Sequence, residues 1–406
     1  MARLVMKFGG TSVADIARIR SAAVRVKREV DAGYQVAVVV SAMSGTTNQL
    51  VAWVNDASTQ PDMREYDMVV TTGEQITAGL LALALQELGQ PARSWLGWQV
   101  PVRTSAAHGS ARILEIDPAL LLASLAKGEV AVVCGFQGIG PDNRVSTLGR
   151  GGSDTSAVAL AAALGAERCD IFTDVEGVFT TDPRIVAKAR KLDKITYEEM
   201  LEMASLGAKV LQTRSVELAM VHNVRVQVLS SFEDKPGTLV CDEGEIVEQE
   251  VVSGIAYSKD EAKITLLRVA DQPGVAASIF GPLADSNVNV DMIVQNVSED
   301  GTKTDMTFTV GRADLDRAAK LIGGLQSKLG FSQLLTDPNV VKVSVIGVGM
   351  RSHAGVATRM FQALADKGIN IQVISTSEIK VSVLIAAEYT ELAVRALHTA
   401  FDLDAA

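Results

Sequence analysis

The sequence has few of the residues that build metal clusters and disulfide frameworks. Its 406 residues include three cysteines and four histidines, and each set is scattered along the chain. Cys134, Cys169 and Cys241 form no C-x-x-C pair, which is typical of proteins from a reducing compartment. The sequence therefore predicts a cytoplasmic protein without a zinc cluster, and no side chain is assigned as a metal ligand.

Runs of one kind of residue are also missing. The formal net charge is −10 and no run of lysine and arginine forms a basic stripe, so we expect no nucleic-acid partner. No apolar stretch reaches about 18 residues without a charge, and the apolar run in MARLVMKFGG is too short for a signal peptide. We therefore expect no membrane partner. The length predicts about two or three domains.

A glycine-rich loop lacks the lysine that usually follows such loops. The segment STLGRGGSDTSAVALAAALG spans residues 146–165, and its glycines lead into Ser-Asp rather than Lys-Ser or Lys-Thr. One interpretation is a turn in which Ser153 and Asp154 cap a helix that ends at Gly165. The other is an anion site that uses Arg150 as its cation. Both interpretations can hold at once.

Strand-like and helix-like segments alternate along the first half of the chain. RLVMKFGG, QVAVVVSAM and EVAVVCGFQG read as buried strands, and EYDMVVTTGEQITAGLLALALQELG reads as one long helix. This alternation predicts an α/β fold with a largely parallel sheet covered on both faces. Ligands collect at the carboxyl ends of such strands, where Lys7 would supply a positive charge. Polar residues follow four strands, in Lys7–Ser12, Ser41–Thr47, Gly135–Gly138 and Thr173–Asp174.

Six motifs then carry a family resemblance. In chain order they are KFGGTS, VVSAMSGTTNQL, TTGEQ, TLGRGGSDTSA, FTDVEGVFTTDPR and SLGAKVL. Together they resemble the aspartate kinases of the amino-acid kinase family, over essentially the whole chain. The resemblance implies a three-layer α/β/α kinase domain without a P-loop. It also implies that ATP, with Mg²⁺, phosphorylates the β-carboxylate of L-aspartate, the first step of lysine, threonine and methionine biosynthesis.

The resemblance assigns roles around the transferred phosphoryl group. Lys7 would neutralise the group in flight, and the amides of Gly9 and Gly10 would cradle it. Asp154 would orient Lys7 or the metal, although a helix-capping role is an equal interpretation. Phosphoryl transfer depends mainly on positioning and charge neutralisation, and a carboxylate is already ionised at pH 7. We therefore expect no general base.

The same resemblance assigns the aspartate subsite. Arg150 would clamp a substrate carboxylate, helped by Ser41, Thr47 and Ser153. Glu74 would take the substrate ammonium.

The nucleotide subsite follows from the last two motifs. Thr173 and Asp174 would face the ribose and base, Arg184 the phosphates, and Lys209 the adenine edge or the phosphates. Many relatives carry tyrosine where this chain has Phe179, so the ring would pack on adenine without a hydroxyl hydrogen bond.

An internal duplication marks the last third of the chain. PGVAASIFGPLADSNVNVDMI at residues 273–293 aligns without a gap with AGVATRMFQALADKGINIQVI at 354–374. Each copy reads strand, helix, strand, strand, helix, and the pair resembles two α+β (ferredoxin-like) ACT regulatory units. The second copy leaves no room for a last strand, so residues 250–258 are expected to supply it. The expected domains are a kinase domain at 1–245, a linker with the donated strand at 246–263, and ACT units at 264–338 and 339–406.

The ACT pair predicts allosteric control and assembly. By resemblance we expect feedback inhibition by lysine, threonine or both together, in a homo-oligomer that associates through the ACT units. Asp271 and Asp291 are candidates for holding the effector ammonium, although asparagines nearby also suit plain turns. The other candidate effector residues are Gln295, Asn370, Ile371 and Ser377.

Three alternative interpretations agree less well with the sequence. The segment VKVSVIGVGMRSHAG resembles a dinucleotide-binding turn, but Ser352 stands where the third glycine should be. A non-catalytic amino-acid sensor should have lost residues such as Lys7 and Arg150. A sister kinase acting on glutamate, N-acetylglutamate or a nucleotide would lack this set of motifs together with two ACT units.

Overall fold

The computed structural model describes residues 1–207, 210–246, 250–297 and 302–404. The chain forms two compact units. The N-terminal unit holds the described residues within 1–178, 191–205 and 209–248, and the C-terminal unit holds those within 179–190, 206–208 and 249–406.

The N-terminal unit alternates strands with helices over most of its length. Its strands are β1 (Arg3–Phe8), β2 (Gln35–Val40), β3 (Ala92–Trp95), β4 (Val102–Thr104), β5 (Ile113–Ile116), β6 (Val130–Cys134), β7 (Gln137–Ile139), β8 (Val145–Thr147), β9 (Arg168–Thr173), β10 (Lys194–Thr196), β11 (Val226–Ser230) and β12 (Thr238–Cys241). Its helices are α1 (Ile16–Asp31), α2 (Thr46–Ala57), α3 (Met63–Val70), α4 (Thr72–Glu87), α5 (Ala119–Leu125), α6 (Gly152–Leu164), α7 (Tyr197–Ser205) and α8 (Thr213–His222).

The main sheet of this unit has the order β10-β12-β11-β9-β1-β2-β6-β3. Every neighbouring pair is parallel except β11 with β12, which confirms the predicted, largely parallel sheet. The central strands are apolar and buried along almost their whole length, as a sheet covered by helices on both faces requires. A second, smaller sheet has the order β5-β4-β7-β8.

Two helices replace the single long helix that the sequence predicted before β3. Thr71 closes α3 and its hydroxyl donates to the carbonyl of Asp67 at 2.9 Å, a local bond that competes with continuous helix geometry. The stretch Met63–Glu87 is long and apolar enough to cross a membrane by length and composition alone, but half of it is buried inside the unit, as in a core helix. The predicted end of α6 at Gly165 is confirmed, because this residue adopts φ of +57°.

The C-terminal unit contains two similar antiparallel sheets. Its strands are β13 (Gly254–Ser258), β14 (Ala262–Ala270), β15 (Val290–Val297), β16 (Lys303–Val310), β17 (Gln333–Asp337), β18 (Val340–Ile346), β19 (Val373–Thr376) and β20 (Lys380–Ala386). Its helices are α9 (Val275–Asp285), α10 (Leu315–Gly323), α11 (Gln326–Leu329), α12 (Val356–Ala365) and α13 (Thr390–Ala400).

The two sheets have the orders β15-β16-β14-β17 and β13-β18-β20-β19. β13 pairs antiparallel with β18, from Gly254 opposite Ile346 to Ser258 opposite Lys342. The second sheet thus takes its edge strand from the segment before the first sheet.

Residues 179–190 pack with the C-terminal unit, although the sequence placed them in a domain spanning 1–245. Val186 lies in the apolar core of the second sheet. The hydroxyl of Thr180 lies 2.8 Å from Nε2 of the buried His398, and the carbonyl of Thr180 accepts from the N–H of Ile255 at 2.7 Å. Long-range packing of this kind leaves no mark in the local sequence.

Candidate functional site

Four neighbouring strands bring the predicted polar stretches to one edge of the main sheet. β9, β1, β2 and β6 are adjacent and parallel, so their carboxyl ends lie at the same edge. Lys7, near the end of β1, is only 8% exposed, and its Nζ lies 2.5 Å from Oδ1 of Asp154. Both charges of such a pair are needed, because removing one leaves the other buried without a partner.

Backbone conformation, rather than a side-chain cap, starts α6 after the glycine loop. α6 begins at Gly152, and its N-cap is Gly151 in the left-handed region with φ of +70°. The prediction that Ser153 and Asp154 cap this helix is therefore wrong. Both residues lie in the first helical turn, where the carboxylate of Asp154 pairs with Lys7 instead.

Close packing fixes the loop and leaves Arg150 at its surface. A Cβ at Gly151 would lie 1.9 Å from Cγ of Gln212, and one at Gly135 would lie 2.9 Å from Cβ of Ser153. Ser153 is buried, whereas Arg150 is exposed and pairs with no carboxylate within the described residues. The guanidinium is thus available to a ligand carboxylate.

Glu74 places a buried carboxylate beside the loop that follows β2. Its Oε1 accepts the N–H of Ala42 at 3.0 Å, and Gly73 permits this approach, since a Cβ there would lie 2.7 Å from Cβ of Ala42. Burial raises the pKa of Glu74 to about 7. Its Oε2 is buried and accepts no hydrogen bond from any residue that the structure describes. This oxygen suits a ligand ammonium.

The other residues predicted to contact the substrates at this edge of the sheet differ in burial, hydrogen bonding and packing. Ser41 and Thr47 are half-buried, after β2 and in the first turn of α2. The N–H of Gly9 donates to the carbonyl of Phe172 at 3.3 Å, so this amide is directed into the sheet. Gly10 packs closely against the loop after β2, where a Cβ would lie 3.0 Å from a backbone oxygen.

The predicted nucleotide residues fall in different parts of the structure. Thr173 ends β9, and its hydroxyl donates to Oδ1 of the exposed Asp174 at 3.2 Å. Lys209 lies outside the described residues.

Phe179 and Arg184 belong to the C-terminal unit. The guanidinium of Arg184 donates to both carboxylate oxygens of Asp182, at 3.0 and 2.8 Å, and these bonds hold the pKa of Asp182 below its ordinary value. A phosphate bound by Arg184 would have to share the guanidinium with this carboxylate.

The candidate effector residues do not form one cluster. Nε2 of Gln295 donates to Asp271 at 3.4 Å. Asp291 lies three residues of β16 away from Gln295 in the strand register, about 10 Å at the usual rise per residue. Asp291 instead pairs with Nζ of the buried Lys342 at 2.5 Å, and the same Nζ lies 2.7 Å from Glu261. One ammonium cannot contact Asp271 and Asp291 of one chain in this conformation.

The candidates in the second copy lie around β19. Asn370 is exposed just before the strand, and Ile371 packs against the core of its sheet. Ser377 follows the strand, and its N–H donates to the carbonyl of Lys380 at 2.8 Å.

Sequence reasoning missed two buried charges that organise these regions. Asp67 is fully buried in α3, and Lys342 is buried in β18. Each interrupts a largely apolar stretch, YDMVV and VVKVSVI. A charge inside such a stretch was the signal available, because burying a charge is costly unless it is paired.

Comparison with known proteins defines the class. The amino acid kinase family matches residues 2–230, and ACT domains match residues 263–325 and 343–401. The fold and the strand-end site are thus those of an amino-acid kinase followed by two ACT domains.

An aspartate kinase of Stutzerimonas stutzeri is 57% identical over 406 residues, covering 100% of this chain and 98% of that protein. The structure is similar to E. coli aspartokinase III in complex with aspartate and ADP (R-state), at 29% identity and a TM-score of 0.82, covering 98% of this chain and 99% of the other. The same E. coli enzyme in complex with lysine and aspartate (T-state) covers the same shares, with 29% identity and a TM-score of 0.76. The chain belongs to the aspartokinase family, and this membership together with its ACT domains supports aspartate phosphorylation under allosteric regulation.

Proposed function

We propose that the chain transfers the γ-phosphoryl group of ATP to the β-carboxylate of L-aspartate and forms 4-phospho-L-aspartate. The observation that carries this proposal is the buried Lys7–Asp154 pair beside the N-terminal turn of α6, with Arg150 exposed in the adjoining loop. The ADP and aspartate complex of the E. coli relative supports the assignment of both substrates.

The strand-end residues divide the work of this reaction. Lys7, paired with Asp154, offers a positive charge to the phosphoryl group in transit. Arg150 binds a carboxylate of aspartate as a planar fork, while the unpartnered oxygen of Glu74 receives the ammonium. The attacking carboxylate is ionised at neutral pH and needs no base.

In the proposed function, Mg²⁺ binds mainly through the phosphates of the nucleotide. The described residues contain no group of three or more His, Cys, Asp or Glu side chains that could hold a metal ion. Mg²⁺ commonly binds through substrate phosphates, water and one or two carboxylates. Asp154, in the first turn of α6, and the exposed Asp174, which follows β9, fit this arrangement.

Control by pathway end products is the second part of the proposal. The lysine complex of the E. coli relative supports lysine as an effector, and threonine, alone or with lysine, is included by family resemblance. We place the enzyme in the cytoplasm, at the first step of lysine, threonine and methionine biosynthesis, as a homo-oligomer that associates through its ACT domains.

The deciding experiment is ATP turnover with Mg²⁺ in the presence of hydroxylamine, which traps acyl phosphate as a hydroxamate. Aspartate should give hydroxamate, whereas glutamate and buffer alone should not. Equal trapping with glutamate would show that aspartate is not the selected substrate, and turnover without any hydroxamate would show that the product is not an acyl phosphate.

A further inference from the structure

Three donors converge on the buried carboxylate of Asp67. This side chain in α3 has no exposed surface. It accepts from Nδ1 of His108 at 2.7 Å, from the N–H of Gly109 at 3.1 Å, and from the hydroxyl of Thr147 at 2.5 Å. These contacts satisfy the carboxylate away from water, and losing one partner leaves a buried polar group without a hydrogen bond.

On one side Asp67 is connected to the subsite for the ammonium. α3 passes through the single residue Thr71 into α4, whose first turn carries Glu74. The carbonyl of Thr71 also accepts from Nε2 of the buried Gln137 at 3.2 Å, so the junction between the helices is held. A movement of α3 is therefore passed to Glu74.

On the other side Asp67 is connected to the subsite for the carboxylate. Thr147 ends β8, three residues before Arg150. Arg214 in α8 reinforces this segment, because its guanidinium donates to the carbonyls of Leu148 at 3.0 Å and Ala111 at 2.9 Å. Arg150 has no bond of its own to a carboxylate within the described residues, so its position depends on this backbone.

We infer that Asp67 is a positioning residue that fixes the separation between Glu74 and Arg150. The inference rests on the proposed function, in which these two side chains hold the two charged ends of aspartate. Small errors in placement cost large factors in rate and affinity, since binding energy is realised only in the correct geometry. The contact between Asp67 and Thr147 joins residues 80 positions apart in the sequence, and it connects the segment that carries Glu74 with the segment that carries Arg150.

The sharpest test uses a matched pair at Thr147. Thr147→Val keeps the shape and removes the hydroxyl donor, whereas Thr147→Ser keeps the donor. We expect Thr147→Val to raise KM for aspartate about tenfold and to change KM for ATP less than about twofold. Thr147→Ser should stay within about twofold of wild type in both. Calorimetric titration of aspartate without nucleotide should show the same loss of affinity.

A second pair tests the carboxylate itself. Asp67→Asn replaces one acceptor oxygen by a donor that faces other donors, and should raise KM for aspartate selectively. Asp170→Asn is the control, because Asp170 is also buried but pairs with Arg168 in β9. We expect the control to lower thermal stability without a selective change in KM for aspartate.

The outcomes separate the inference from the proposed function. Folded Thr147→Val with the same aspartate KM as Thr147→Ser, or with equal increases in both KM values, overturns the positioning role. A wild-type protein without aspartate-dependent turnover overturns the proposed function and this inference with it. If Asp67→Asn does not fold, the Thr147 pair alone decides.

Discussion

At the scale of single residues, the positive charge of Lys7 is expected to stabilise the phosphoryl group during its transfer. Lys7→Ala should reduce turnover by about 10²-fold or more, because a charge placed for the group in transit would be lost. The variant should still fold, although Asp154 would be left buried without its partner. Turnover and far-UV circular dichroism check this, with the exposed Lys127→Ala as control. Near-normal turnover by folded Lys7→Ala would contradict the assignment.

Glu74 gives a pH dependence to aspartate binding. Its pKa is raised from the ordinary value of 4.5 to about 7, chiefly by burial. The neutral form present below pH 7 cannot attract an ammonium, so KM for aspartate should fall as pH rises from about 6 to 8. Measured KM values at saturating ATP check this, and Glu74→Gln should raise KM and flatten the profile. A pH-independent KM in the wild type would show that Glu74 is not the ammonium partner.

The raised pKa of Glu74 also makes the free energy of unfolding depend on pH. A carboxyl group whose pKa is raised on folding favours the folded state in its neutral form. Stability from this group is therefore present at low pH and is lost as pH rises from about 4.5 through about 7. If Glu74 is the ammonium partner, bound aspartate should offset this loss, because the ammonium favours the ionised carboxylate.

At the scale of elements, the glycine loop and α6 act as one piece. Gly151→Ala forces a left-handed backbone that costs roughly 1–2 kcal/mol and also meets Gln212, so the loop must shift. We expect a lower unfolding midpoint together with a higher KM for aspartate. Gly165→Ala, at the other end of the same helix, meets only Arg3 at 3.8 Å and should lower stability alone. Equal KM values in the two variants would argue against a substrate role for the loop.

Sequence patterns located the strand ends well and the connections between them poorly. Lys7 lies near the end of an apolar strand and Asp174 follows one, and that local signal suffices to place them at the edge of a parallel sheet. The break at Thr71 combines a local bond, from its hydroxyl to the carbonyl of Asp67, with a distant one, from Gln137 to its own carbonyl. The glycine N-cap of α6 packs closely against the distant Gln212. Local propensity says nothing about distant partners such as Gln137 and Gln212, so the predicted single helix and the predicted Ser-Asp cap were both wrong.

At the scale of the whole molecule, effector control is the property to test. Turnover at subsaturating aspartate should fall with lysine, threonine or their mixture. A coupling of about 1–3 kcal/mol would change apparent affinity roughly 5- to 150-fold. Asp291→Asn should weaken this inhibition, and Asp285→Asn, an exposed carboxylate in α9, is the control. Full-length enzyme that responds to no effector would leave the ACT domains without a demonstrated regulatory role.

An effector that binds Asp291 would compete with Lys342 of the same chain for this carboxylate. Nζ of Lys342, in the second sheet, already pairs with this carboxylate. If Asp291 binds a ligand instead, Lys342 still has the buried Glu261 as its partner. A ligand that displaces Lys342 from Asp291 would therefore not leave the buried ammonium without a partner.

The pairing of β13 with β18 affects the order in which the two ACT sheets form during synthesis. Its partner β18 begins about 80 residues later, and the entire first ACT sheet is encoded between them. At a synthesis rate of roughly 5–20 residues per second, β13 waits about 4–16 s on the ribosome before its partner emerges. During that interval Gly254–Ser258 is an open edge, while the inserted sheet has all of its own strands and can close first. The order of translation thus makes the second sheet the last to be completed.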